Sequence, residues 1–188
     1  EPYHPKSPAD AKTGKKKVAL VPEDRKTEGL MLPMPIADNL LAASFPQVSR
    51  GPFIDEKRAA SAIENGLSKL QIKIGREGDA VSTLSGGNQQ KVVIAKWLMI
   101  SPDIVLLNDP TRGIDVGTKQ EIYRLMRELA NEGKAVLYYS TDYAELIGCC
   151  DTGSVMYDGA VVSTLEGDAI TEEGIVSASL NIGGGEAA

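Results

Sequence analysis

Residues 104–115 read Ile-Val-Leu-Leu-Asn-Asp-Pro-Thr-Arg-Gly-Ile-Asp. Four aliphatic residues in a row, bounded by Pro102 and Pro110, describe a fully buried central strand of the kind that parallel sheets place at their middle. Open α/β sheets bind ligands just beyond the carboxyl ends of such strands. Asn108 and Asp109 stand at that place.

Outward from this strand, helix and strand alternate. Thr118–Asn131 carries Ile122, Leu125, Met126 and Leu129 on one face, Glu121 and Arg124 spaced to pair at i,i+3, and Gly133 as a stop. Ala135–Tyr139 reads as another buried strand, with a helix near Tyr143–Ile147 after it. Ser154–Tyr157 and Ala160–Thr164, joined by Asp158-Gly159, form a hairpin with a type I′ turn. Thr171 caps a last short helix, and the tail Gly183–Ala188 is expected to be disordered. Upstream, Val18–Val21 is a short strand stopped by Pro22, and residues 23–35 are a polar loop. Ile36–Ser44 and Glu56–Leu70 read as helices, the second capped by Asp55 with Ala59, Ala60, Ile63, Leu67 and Leu70 on one stripe. The first 17 residues are loop with a short helix around Pro8–Lys12. The class is α/β, a parallel sheet with a mostly helical block set between its strands.

Within that block, residues 84–91 read Leu-Ser-Gly-Gly-Asn-Gln-Gln-Lys. A Ser-Gly-Gly step that opens a helix, with Ser85 as N-cap, makes an anion-binding nest. Successive N–H groups converge, the helix terminus adds partial positive charge, and the glycines allow close approach. Val92, Val93, Ala95, Leu98 and Met99 continue the helix at apolar spacing.

Composition excludes several other readings. A net charge of −6 and a pI near 4.9 supply no basic footprint for nucleic acid. The one basic clump, Lys12 with Lys15–Lys17, reads as a solvated loop. No apolar run approaches the roughly 18 residues that span a bilayer, and the start does not resemble a signal peptide. Cys149 and Cys150 are adjacent and the chain has one histidine, His4, which makes a poor metal site and no disulfide framework. The cysteines read as buried, reduced thiols and His4 as solvent-exposed.

Taken together, Leu84–Lys91, the strand ending Asn108-Asp109-Pro110-Thr111, and Gly113-Ile114-Asp115 resemble the signature motif, Walker B and D-loop of an ABC transporter ATPase. Val21-Pro22-Glu23-Asp24-Arg25-Lys26 and Thr111-Arg112-Gly113-Ile114-Asp115-Val116-Gly117 are similar to the sugar importers that fuse two cassettes, more to the C-terminal one. The resemblance runs from about Ser7 to about Val176. It implies a partial P-loop NTPase (RecA-like) parallel sheet with a helical subdomain and a C-terminal β-hairpin. It divides the chain into an N-terminal loop segment (1–17), a strand and Q-loop-like region (18–35), the helical subdomain with the signature (36–100), Walker B, D-loop and the second half of the core (101–180), and the tail (181–188).

The resemblance also implies site residues. Ser85, Gly86, Gly87, Asn88 and Gln89, with Asp115, would touch a nucleotide held by the opposite cassette of a head-to-tail pair. Asn108 falls at the magnesium-side carboxylate and Asp109 at the general base, where the family has Asp-Glu. Glu23 falls at the metal-contacting Gln of the Q-loop and Thr141 at the switch histidine. Asn108 lacks a charge, and Asp109 is one methylene shorter than the Glu that must come within about 3 Å of its water. Asn108 and Glu23 could hold magnesium only weakly, through water.

A phosphate-cradling Gly-x-x-x-x-Gly-Lys-Ser/Thr loop is absent. Residues 9–16 approach it, but Lys16 replaces the metal-binding hydroxyl and no apolar strand precedes them. In the family that loop precedes the segment resembling Ser7–Lys26, so the chain is expected to begin after it. It should then bind ATP poorly by itself, with strand edges exposed unless the first 17 residues or self-association cover them.

The expected function is the energy-coupling ATPase of a carbohydrate importer, using ATP and Mg2+ in the complete assembly. The implied partners are a second cassette, membrane-spanning permease subunits and, indirectly, a periplasmic or extracellular sugar-binding protein, with no nucleic acid. The implied location is peripheral, on the cytoplasmic side of the cell membrane. The alternative is a catalytically degenerate module that docks to permease subunits without hydrolysis of its own. A chromosome-maintenance ATPase head would need heptads and a basic face, which are missing.

Overall fold

The computed structural model describes residues 4–180. Those up to Leu137 form one compact unit and those from Tyr138 a second.

In the first unit, helix α1 (Pro8–Thr13) is capped by Ser7, whose side chain accepts from Asp10 N–H, and packs beside strand β1 (Val18–Val21). Of the basic clump, Lys12, Lys15 and Lys16 are exposed as expected, and Lys17 is half-buried. Lys17 donates from its backbone to Asp103 and from Nζ to Ile100 O, and Lys12 Nζ lies 5.2 Å from the centre of the Trp97 ring. His4 is exposed as expected.

The expected loop over 23–35 contains instead a wide helical turn, Arg25–Gly29, capped by Asp24. Asp24 accepts from the N–H groups of Lys26 and Thr27, and those bonds hold its carboxyl below the usual aspartate range. Helix α2 (Ile36–Leu41) buries Asn39, whose amide exchanges hydrogen bonds with Met31 N–H and C=O and donates to Pro35 O. This pins residues 31–35 to the helix by side-chain bonds that apolar spacing does not reveal. A single turn, α3 (Phe45–Val48), leads to the two-stranded β2 (Ser49–Arg50) and β3 (Phe53–Ile54). Helix α4 (Glu56–Lys69) is capped by Asp55 as expected. It buries Ala59, Ile63 and Gly66, whereas Ala60, placed on the apolar stripe by sequence, is exposed.

Helix α5 (Gly86–Leu98) buries almost every residue from Gly87 to Ala95, because it packs against α2, α4 and β1 on different sides. Strand β4 (Ile104–Asn108) lies parallel to β1 with Val21 opposite Leu107. Val105 and Leu107 are buried, whereas Ile104 and Leu106 are only half-buried. Helix α6 (Val116–Asn131) buries the expected face of Ile122, Leu125, Met126 and Leu129. Glu121 pairs with Lys91 of α5 rather than with Arg124. Gly133, at φ +81°, ends the helix.

Strand β5 (Ala135–Tyr139) lies next to β4 in the order β1-β4-β5. It is an edge strand and not the buried one expected, with Leu137 and Tyr139 more than half exposed. Leu20 on the other edge is also half exposed. These strands carry the apolar sequence of an interior sheet but, among the described residues, pair on one side only.

In the second unit, helix α7 (Tyr143–Cys149) is followed by strands β6 (Thr152–Tyr157) and β7 (Ala160–Glu166) and helix α8 (Glu172–Ser179), capped by Thr171. Asp158 and Gly159 both have positive φ, 46° and 79°, which makes the hairpin turn type I′ as read from sequence. Val155, Ile170 and Ile175 form the small core, with Cys150 packed against it. Cys149 and Cys150 are half-buried and not in a disulfide. The expected disorder of Gly183–Ala188 falls outside the described residues. No helix among those described is long and apolar enough to cross a membrane.

Candidate functional site

Ser85 caps α5 as its sequence suggests, in extended backbone (φ −60°, ψ 156°) with its hydroxyl accepting from Asn88 N–H at 3.4 Å. That bond uses an oxygen lone pair and leaves the hydroxyl hydrogen for donation. The Ser85 side is exposed, and the glycines that follow are packed from behind. A Cβ on Gly87 would stand 2.5 Å from Thr118 Oγ1 and 3.2 Å from Asp115 Oδ2, so any side chain there would have to displace Thr118. The α5 N-terminus therefore lies directly against the first turn of α6.

Asn88 and Gln89 are turned to support the segment. Asn88 Oδ1 accepts from Lys73 N–H at 3.3 Å, and Gln89, 7% exposed, donates to the carbonyls of Leu84 and Val81. Asp115 caps α6 with one oxygen on Thr118 N–H (3.0 Å) and the other on Thr118 Oγ1 (2.8 Å). The Thr118 N–H, then its hydroxyl, hold the exposed Asp115 carboxyl below the usual aspartate range.

At the strand end the arrangement differs. Asp109 is 8% exposed and takes the left-handed backbone, φ 44°, which a residue with a Cβ rarely adopts. Its carbonyl accepts from Arg112 N–H at 3.2 Å, closing the turn that carries Gly113 at φ +66°. Glu23, just past the end of β1, forms an ion pair with Arg112. Arg25 donates from Nη1 to Arg112 O (3.1 Å) and from Nη2 to Gly113 O (3.4 Å). Sequence reasoning singled out Glu23 but not Arg25, because its partners lie 87 and 88 residues away. Glu23, Arg25, Ser85–Gly87 and Asp109–Asp115 thus converge in one unit, joined chiefly through residues 112–118.

Thr141 belongs to the second unit and is exposed. Its flanks are tied down: Ser140 Oγ donates to the buried Glu145 carboxylate at 3.0 Å and accepts from Asp142 N–H, and Tyr138 OH also donates to Glu145.

The residues present do not compose a resident magnesium site. Asn108 offers a neutral amide, and the carboxylate of Glu23 is engaged by a guanidinium. Among the described residues no cluster of three or more His, Cys, Asp or Glu could hold a metal ion. Away from this region, a groove of about 660 Å³ opens between α3, α4 and α5, floored by Ala62, Gly66, Leu98 and Met99 with Lys57 on its lining.

A family model described as ABC transporter matches residues 4–112. The ribose import ATP-binding protein RbsA 1 of Rhizobium johnstonii is 58% identical over 183 residues, 97% of this chain and 36% of that protein. RbsA 2 of Streptomyces avermitilis is 44% identical over 162 residues, 86% of this chain and 32% of its own. The chain spans about a third of the length of these curated relatives. Among solved structures, a dimeric ATP-binding cassette in a post-hydrolysis state with ADP and Pi shares the fold at TM-score 0.67 and 23% identity, over 80% of this chain and 63% of that one. An ABC transporter in an inward-facing conformation reaches TM-score 0.70 at 15% identity, covering 87% and 63%.

Proposed function

Because the chain belongs to the ABC transporter family, we propose that it forms part of the ATP-binding subunit of a carbohydrate importer and lends its Ser85 turn to a nucleotide held by an opposing cassette. The observation that carries this reading is the head of α5. An exposed hydroxyl and two glycines open a helix of 13 residues, set so close to the carboxylate-capped start of α6 that a side chain at Gly87 would have to displace Thr118. Such a terminus presents backbone N–H groups and partial positive charge to an anion. Ser85, Gly86 and Gly87 would meet the phosphates, Asn88 and Gln89 would hold the turn in shape, and Asp115 would stand at the same junction. The names of the relatives support a sugar, ribose first, as cargo.

The cassette's own hydrolytic site is weak on this reading. Asp109 is buried on a left-handed backbone, Asn108 brings no charge, and Glu23 is occupied by Arg112. Turnover would belong mainly to the partner cassette, with ATP and Mg2+ gripped there. Permease subunits would dock on this chain from the cytoplasmic face, for which the groove between α3, α4 and α5 is a fitting seat.

The test uses the full-length importer. Ser85→Arg should abolish ATP turnover and transport by filling the turn with a long cation, and unchanged rates would refute the role in trans. Asp109→Ala should cost no more than about twofold in turnover. Complete loss would show that this strand end does the chemistry after all.

A further inference from the structure

We propose that Arg25 is a positioning residue that holds the Ser85 turn and the Asp109–Asp115 loop in register with each other. Two segments meet on its guanidinium. Nη1 and Nη2 donate to the successive carbonyls of Arg112 and Gly113 at 3.1 and 3.4 Å. The same Nη2 lies 3.0 Å, and Cζ 3.7 Å, from where a Cβ on Gly86 would stand, with Gly113 O 3.6 Å from that point. The arginine therefore fills the space beneath the first residue of α5 while gripping the loop that leads to α6. The turn that carries it is held by Asp24, which accepts from the N–H groups of Lys26 and Thr27, and the neighbouring Glu23–Arg112 pair ties the Glu23–Arg25 segment to that loop a second time.

The chemistry calls for arginine. A planar fork can donate to two adjacent carbonyls at once, whereas an ammonium is a single point of charge. Arg25 Nε is buried without a partner, so the two terminal nitrogens carry the link. The positive φ at Gly113 accompanies the turn whose carbonyls face the fork. Any shift of the Glu23–Arg25 segment is then transmitted to both the Ser85 turn and the Asp115 cap.

The functional half of this inference rests on the Ser85 turn serving a nucleotide in trans; the structural half does not. The experiment compares Arg25→Ala and Arg25→Lys in the full-length importer, reading amide hydrogen exchange and ATP kinetics. Both variants should speed exchange at residues 86–88 and 112–115 by about tenfold or more while distant helices keep their protection. Both should lower kcat about fivefold or more with KM for ATP within about twofold. Wild-type exchange and kcat in Arg25→Lys would overturn the proposal, because charge alone would then suffice. So would unchanged exchange in Arg25→Ala, or unchanged kcat in an importer that Ser85→Arg silences. If Ser85→Arg is itself without effect, the role in trans fails instead, and the exchange data alone decide whether Arg25 sets the register.

Discussion

At the head of α5, small residues are packed so tightly from behind that the outward side of the turn is kept clear. At the end of β4, the acid is turned inward and the nearby Glu23 is spent on Arg112. Both places carry candidate site residues of the same unit. The difference teaches that a motif's chemistry depends on which atoms its supporting contacts leave unspent. Ser85 retains a donor, whereas Glu23 gives its charge to a solvent-exposed ion pair with Arg112.

The sharpest way to break this contrast is to fill the space behind the α5 turn. Gly87→Ala puts a carbon 2.5 Å from Thr118 Oγ1 and should destabilise the chain by about 1–3 kcal/mol, measured by urea unfolding. Adding Thr118→Ala should recover part of that loss, since the two positions share one contact and their effects are coupled. Additive losses would mean the tightness lies elsewhere.

A smaller effect is expected where α5 is tied to α6. The Lys91 side chain is 9% exposed and faces Glu121, itself nearly half exposed. Glu121→Gln leaves that ammonium without its counter-charge and should cost about 1–2 kcal/mol, whereas Arg124→Gln should cost nearly nothing. Equal effects would restore the local pairing that i,i+3 spacing suggests.

The smallest effect concerns pH. Asp115 is held below its ordinary value of 3.8 in the folded chain, so the stability it adds is present above that value and fades as the pH falls through the lower, folded one. Asp115→Asn should flatten the pH dependence of Tm below about pH 4. A slope identical to that of the wild type would remove Asp115 from the account.

Much of the frame was legible because its causes are local. Ser85, Asp55 and Thr171 each cap a helix by bonding a backbone N–H three residues ahead, and Asp158-Gly159 supplies both positive φ values of a hairpin turn. What escaped reading is long-range or depends on neighbours. Arg25 reaches carbonyls nearly ninety positions away, and Lys91 draws Glu121 off its own helix. Leu137 and Tyr139 have the sequence of interior strand residues, but burial is decided by what lies alongside. The turn at Arg25–Gly29 was hidden in a polar run that carries no apolar period.

Trp97, the single tryptophan of the chain, has Lys12 Nζ at 5.2 Å and Lys96 Nζ at 5.6 Å from its ring centre and its indole nitrogen buried. Lys96 is itself held below the usual lysine range by burial, with Lys12 adding to it. One fluorophore thus sits between two cations from different helices. Departure of Lys12 from the ring should therefore shift its emission, an optical reading of that contact that needs no label.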